Sequence, residues 1–267
     1  SGSCLTLDLA AMVSGNNAQR LESLVALCHE LGREDRRMAI LGEGNVSTRI
    51  GNSDGFLVKA SGRHLGSLTR DGVVACRGNG LLALMDAENA TDDQIEAGLL
   101  ASRLDKAAPK PSVESIFHAY LLGLKGVEWV GHTHSIAANS LLCSPRGPEF
   151  ARRRLFPDEV VCCGEESVYV PYTDPGLKLA CAIRGEVESF VRRRGGPPRV
   201  ILLANHGVIT IGGSANAVLG AMLMVQKAAD IWLGAAALGG TVFLSEADVQ
   251  RIAGRGDEHH RQRTLGL

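Results

Sequence analysis

The sequence predicts a single α/β domain over residues 1–267, built on a central, mostly antiparallel sheet flanked by helices. Three observations predict it. Strand and helix patterns intermix without the regular strand–helix–strand rhythm of a parallel sheet. Short β-branched runs such as "RVILLANHGVITIG" close on Gly turns. No internal repeat or clear boundary divides the 267 residues, a length that can bury one large core.

In chain order, Leu21, Leu24, Val25, Cys28 and Leu31 recur at helical spacing, so residues 17–33 read as an amphipathic first helix. "GEGNVSTRI" reads as a turn followed by a strand, and "GFLVKASG" as a second strand ending on a Ser-Gly turn. "ATDDQIEAGLLASRL" is a helix with a polar start. "KPSVESIFHAYLLGL" is another, with Pro111 and Ser112 at its beginning. "VEWVGHTH" reads as a buried strand running into a helix at "SIAANSLL". "SVYVPY" and "RVILLANHGVITIG" are further strands. "GLKLACAIRGEVESFVRRR" and "SANAVLGAMLMVQKAADIWLGAAAL" are long helices. Residues 1–16 and 254–267 read as flexible tails, and Ser1-Gly2-Ser3 as a cloning remnant rather than a targeting segment.

Composition narrows the function classes. A net charge of -1 gives no general attraction to nucleic acid or anionic lipid. Aromatics make up 4% of the chain, too few for base-stacking platforms. No apolar run reaches transmembrane length, so no membrane role is expected. Seven cysteines without CxxC pairs favour reduced, buried thiols and a cytoplasmic protein. Cys162 and Cys163 read as packing residues, facing opposite sides if they lie on a strand. The runs Arg152–Arg154 and Arg192–Arg194 read as solvated helix faces or interface partners.

"VGHTHS" carries the chemistry. Residues i and i+2 of a strand share a face, so His132 and His134 can offer two imidazole nitrogens to one point. Zinc takes nitrogen and sulfur ligands in tetrahedral sites and keeps an open position where it is catalytic. His206 in "LLANHGVI", closing another apolar strand at a Gly turn, is the third candidate. His118 follows Glu114 by one helical turn and reads as a hydrogen-bonded core or interface histidine. Glu114 itself falls in a first helical turn after an expected Ser112 N-cap, where an ionised carboxylate is favoured. It reads either as a helix-stabilising acid or as a ligand that becomes a general base when substrate displaces it. The turns "GEGNVS" and "ASGRH", with Ser112, offer backbone N–H groups and small polar side chains to a phosphate.

The order "GNVS", "SG", "PSVE", "HTH", "NHG" resembles the class II aldolase/adducin family, over residues 18–240. Fuculose- and rhamnulose-1-phosphate aldolases are the most similar branch. "VKASGRHLGSL" and "KPSVESIFHAYLL" look like the aldolase part of bifunctional rhamnulose-phosphate aldolase/dehydrogenases. The resemblance implies a divalent metal, zinc first and manganese second, held by His132, His134 and His206. It implies Glu114 as acid/base, and Asn45, Ser61, Gly62 and Ser112 around a substrate phosphate. It further implies a homotetramer with sites at subunit interfaces and a phosphorylated sugar as substrate.

The activity implied is a retro-aldol cleavage of a ketose 1-phosphate to dihydroxyacetone phosphate and an aldehyde, through a metal-stabilised enediolate. A β-keto sugar acid decarboxylase is the alternative, because carbon dioxide loss gives the same enediolate. An adducin-like, non-catalytic scaffold is a third, and the three histidines argue against it. The chain departs from the pattern at Val113, where fuculose-type members carry a second Ser. The tyrosine that those aldolases borrow from a neighbouring subunit has no clear match. Asp158 and Tyr172 are the candidates for groups supplied across the interface.

Overall fold

The structure, a computed structural model, describes residues 15–51, 54–87 and 90–256. Seven strands form one sheet in the order β3-β2-β1-β4-β7-β6-β5. They are β1 (Asn45–Arg49), β2 (Gly55–Lys59), β3 (Val73–Arg77), β4 (Trp129–Thr133), β5 (Val168–Val170), β6 (Val200–Leu203) and β7 (Gly207–Gly212). Every neighbouring pair is antiparallel except β5 with β6. The expected mostly antiparallel α/β domain is the one observed.

Alternation along the strands feeds two apolar layers. Val200, Leu202 and Val208 join one cluster, and Ile201, Leu203, Ile209 and Ile211 join the other. The first layer is closed by α1 (Gly15–Leu31), α5 (Ile136–Leu142), α6 (Gly147–Arg152) and α9 (Ala215–Ala237). The second is closed by α2 (Asn79–Asp86), α3 (Asp92–Ser102), α4 (Ser115–Leu122) and α8 (Leu177–Arg194). Helix α7 (Pro157–Cys163) packs on α9 and on α10 (Glu246–Ala253).

Several expectations change. Helix α9 has the length and apolar composition of a membrane span. Val218, Ala221, Met222, Val225, Ala228, Ala229 and Trp232 are nonetheless buried in the fold, against β4, β7, α1, α5 and α7. Helix α4 begins at Ser115, later than Pro111 and Ser112 suggested, and Glu114 directly precedes it. Ser112 still serves this end, because its Oγ accepts the Glu114 N–H at 3.3 Å. Cys162 and Cys163 close helix α7 rather than a strand, and Cys163 is the buried one.

Arg154 is no solvated arginine. It is 1% exposed and donates to the carbonyls of Gly164, Ala151 and Arg153 and to Ser167 Oγ, with Glu159 at 3.8 Å. Arg193 and Arg194 do lie towards solvent, paired with Glu165 and Glu166. The six described cysteines are free thiols. Of the expected tails, residues 1–14 and 257–267 lie outside the described residues.

Candidate metal centre

The end of β4 brings the histidines together. His132 is its penultimate residue and is completely buried. His134 lies just past the strand, and its N–H donates to the Met38 carbonyl at 2.9 Å. The shared face survives this ending: the two Nε2 atoms are 3.0 Å apart. His206 stands in the turn between β6 and β7, where Asn205 takes the left-handed conformation, φ 54°. Asn139 of α5 fixes that turn by donating to the His206 carbonyl at 2.9 Å.

Glu114 closes the group from α4's entry. Its Oε1 lies 3.4 Å from both His132 Nε2 and His206 Nε2. The ligand-capable atoms of Glu114, His132, His134 and His206 all fall within 4.8 Å of one another. Two glycines permit the approach of the backbones. A Cβ on Gly207 would sit 2.4 Å from the Thr133 carbonyl oxygen, and one on Gly44 (φ 76°) would sit 2.7 Å from that of His132. Gly207 of "NHG" and Gly44 of "GEGN" are therefore steric requirements of the site.

The ring nitrogens are oriented from behind. His132 Nδ1 meets the Val208 carbonyl at 3.0 Å; a carbonyl only accepts, so Nδ1 carries a proton and Nε2 faces inward. His134 Nδ1 lies 3.6 Å from Glu43. Asn45 Nδ2 donates to Glu114 Oε2, leaving Oε1 towards the histidines. Burial opposes the charge on Glu114, but the charge and hydrogen bonds of His132 and His206 outweigh it and hold the carboxyl well below the usual range. Burial works against His132 too; Glu114 and the Val208 carbonyl outweigh it and raise that imidazole. Burial, with the neighbouring His132 and His206, pushes His134 down to about 3. Three imidazole nitrogens and a carboxylate oxygen, within 4.8 Å of one another, are a donor set that fits a divalent metal.

The remaining expected residues divide. Ser61 and Ser112 come from two segments joined by an antiparallel bridge: Ala60 pairs with Pro111, and Ser61 N–H donates to the Lys110 carbonyl at 3.0 Å. Gly62, in the left-handed conformation (φ 72°), lies against Gly42. Asn45 is also at this end of the sheet, with its amide engaged by Glu114. Asp158 is in the first turn of α7, and Tyr172 is exposed with its hydroxyl 3.4 Å from Asp174. Neither belongs to the four-residue cluster.

Reading the sequence missed Lys59, Glu43 and Asn139. Lys59 is 1% exposed and donates to Gly42 and Arg63 carbonyls at 3.0 and 2.6 Å, so it ties the two Gly turns together. Burial lowers its pKa, partly offset by Cys28 and Glu114. A lysine inside the apolar "GFLVKA" was the available signal.

The family model for the class II aldolase and adducin N-terminal domain matches residues 22–233. The chain belongs to the class II aldolase/adducin family. Class II aldolases use a divalent metal, and the cluster of this member has the donors to hold one. A curated relative, the uncharacterized oxidoreductase YuxG of Bacillus subtilis, is 25% identical over 203 residues. That match covers 73% of this chain but 27% of the relative, so the chain spans about a quarter of YuxG's length.

Three solved structures share the class II aldolase fold. The N-terminal class II aldolase domain of a conserved protein from Thermoplasma acidophilum has a TM-score of 0.64 at 24% identity, covering 80% of this chain and 93% of its own. YgbL of Klebsiella pneumoniae, offered as an aldolase, epimerase or decarboxylase, has 0.67 at 21% identity, covering 88% and 98%. The L-fuculose-1-phosphate aldolase of Thermus thermophilus has 0.59 at 19% identity, covering 83% and 96%.

Proposed function

We propose that this protein is a metal-dependent lyase that cleaves a ketose 1-phosphate by a retro-aldol reaction, giving dihydroxyacetone phosphate and an aldehyde. The observation that carries the reading is Glu114 Oε1, 3.4 Å from two imidazole nitrogens of the cluster and held from behind by Asn45. His132, His134 and His206 would hold the metal, with zinc the ion proposed. That metal, when bound, supplies Lewis acidity to the oxygens beside the bond that breaks.

The rest falls to the chain's own side chains. Asn45 keeps Oε2 occupied, so Oε1 is the atom that delivers or removes the carbon-bound proton. Ser61, Gly62 and Ser112, on adjoining turns, would bind the phosphate through hydroxyl and backbone N–H groups. The name of the Thermus thermophilus relative supports a sugar 1-phosphate as substrate class. A homotetramer with sites completed across interfaces gives the exposed Tyr172, and Asp158, their proposed roles.

One observation favours a second reading, a β-keto sugar acid decarboxylase. Val113, where fuculose-type members carry a serine, packs with the apolar layer and supplies no hydroxyl to a phosphate. Incubating metal-loaded protein with a panel of ketose 1-phosphates and β-keto sugar acids separates the two. Aldehyde release supports the aldolase; carbon dioxide release without aldehyde contradicts it.

A further inference from the structure

Behind the Glu114 carboxylate lies a second polar pair that the proposed reaction does not use. Ser47 stands two residues along β1 from Asn45, on the same strand face. His118 stands one helical turn after Glu114 and donates its backbone N–H to the Glu114 carbonyl at 3.2 Å. The pairing is therefore repeated: Asn45 with Glu114 at the sheet end, and Ser47 Oγ with His118 Nδ1 at 2.7 Å one step deeper. Both deeper residues are fully buried.

These two rungs cross an apolar seam formed by Phe56, Val58, Ile116, Phe117 and Val130. The imidazole is further fixed by stacking on Phe117, centroids 4.7 Å apart, and Phe117 meets the His132 ring edge-on at 5.7 Å. Burial drives the imidazole pKa down to about 3, so the ring is neutral. Its Nε2 is buried and has no protein partner. Such an atom has given up its hydration without a replacement partner, and a leucine would fill the space without that cost. Packing alone does not account for a histidine here.

We propose that Ser47 and His118 are positioning residues for Glu114. Their bond fixes the offset of α4 along β1, and so sets the carboxylate between His132 and His206. Strand register makes this effective: Asn45 of β1 pairs directly with His132 of β4, so a slide of α4 along β1 shifts Glu114 against both strands at once. The inference rests on the reading of Glu114 as the acid/base.

The test compares His118→Leu, which keeps bulk and loses the bond, with His118→Asn, which places an amide nitrogen near the position of Nδ1. Three quantities are read: exchange of the carbon-bound proton of dihydroxyacetone phosphate with deuterated water, the half-saturating concentration, and the visible spectrum of cobalt(II)-loaded protein. His118→Leu is expected to slow exchange by about 10- to 100-fold, as a displaced catalytic group does. Half-saturation should stay unchanged and the cobalt spectrum should move towards that of Glu114→Gln. His118→Asn should stay within about threefold of wild type.

Wild-type exchange in His118→Leu, or equal losses in both variants, overturns the proposal. If His118→Leu does not fold, Ser47→Ala removes the same bond from the strand side. It should slow exchange about 10-fold at unchanged half-saturation; a wild-type rate there overturns the proposal. Wild-type protein that shows no exchange defeats the acid/base reading instead. The cobalt spectra then still decide, because an unaltered spectrum in the folded variant refutes the positioning role.

Discussion

His134 gives the cluster one of its three imidazole nitrogens, and its other ring nitrogen lies 3.6 Å from Glu43. His134→Ala should therefore fold and lose the bound divalent ion, since one nitrogen ligand of three is gone. Elemental analysis after loading and dialysis checks it; equal metal in both proteins would remove His134 from the site. Ser112 is tested through binding. It follows Pro111, whose bridge to Ala60 ties its segment to the Ser61 turn, so Ser112→Ala should raise the half-saturating concentration of dihydroxyacetone phosphate about 10-fold or more, the usual worth of a hydrogen bond to a charged group. The exchange rate at saturation should fall less; an unmoved half-saturation speaks against phosphate at this serine. The histidines were legible because strand alternation and a closing Gly turn are local patterns. The Asn45–Glu114 contact was not: its partners lie 69 residues apart, and only the sheet register joins them. Buried Arg154 was hidden similarly, since its carbonyl partners follow from a backbone path rather than from charge.

The β6–turn–β7 unit carries His206 to the end of β4, and Gly207 allows the two backbones to meet. Gly207→Ala forces a Cβ to 2.4 Å from the Thr133 carbonyl, against backbone that cannot turn aside. An overpacking cost of about 1–3 kcal/mol is expected, together with weaker metal retention. Urea denaturation reads the first effect, and an unchanged midpoint would show that the approach is looser than described. Elements with a strong period were readable: α1, α8, α9 and the β6–β7 run. Those missed were β3, α2, α6, α7 and α10, all of eight residues or fewer. Such segments hold too few turns or alternations for a period to show, and tertiary contact decides them. The start of α4 was misplaced because Pro111 and Ser112 read as an entry signal, whereas Pro111 is engaged in a bridge with Ala60.

For the whole molecule, the metal and the fold are linked. The four donors come from α4's entry, the β4 end and the β6–β7 turn, so an ion held there bridges both sides of the sheet's end. Zinc at 100 times its dissociation constant should stabilise the folded chain by about 2.7 kcal/mol, or roughly 5–10 °C in Tm for a chain of this size. The gain should fade as pH falls, since protons compete for the same imidazoles and carboxylate. Differential scanning calorimetry with zinc and with chelator checks this, and identical melting would contradict a structural link between site and sheet. The account as a whole turns on Glu114, the group that makes the cluster a catalyst rather than a metal store. Glu114→Gln keeps shape and removes proton transfer, worth about 100- to 10,000-fold. The decisive measurement is NMR exchange of the carbon-bound proton of dihydroxyacetone phosphate with deuterated water, in metal-loaded protein. The account predicts exchange by wild type and its loss in a folded Glu114→Gln; equal rates in the two, or no exchange by the wild type, would contradict it.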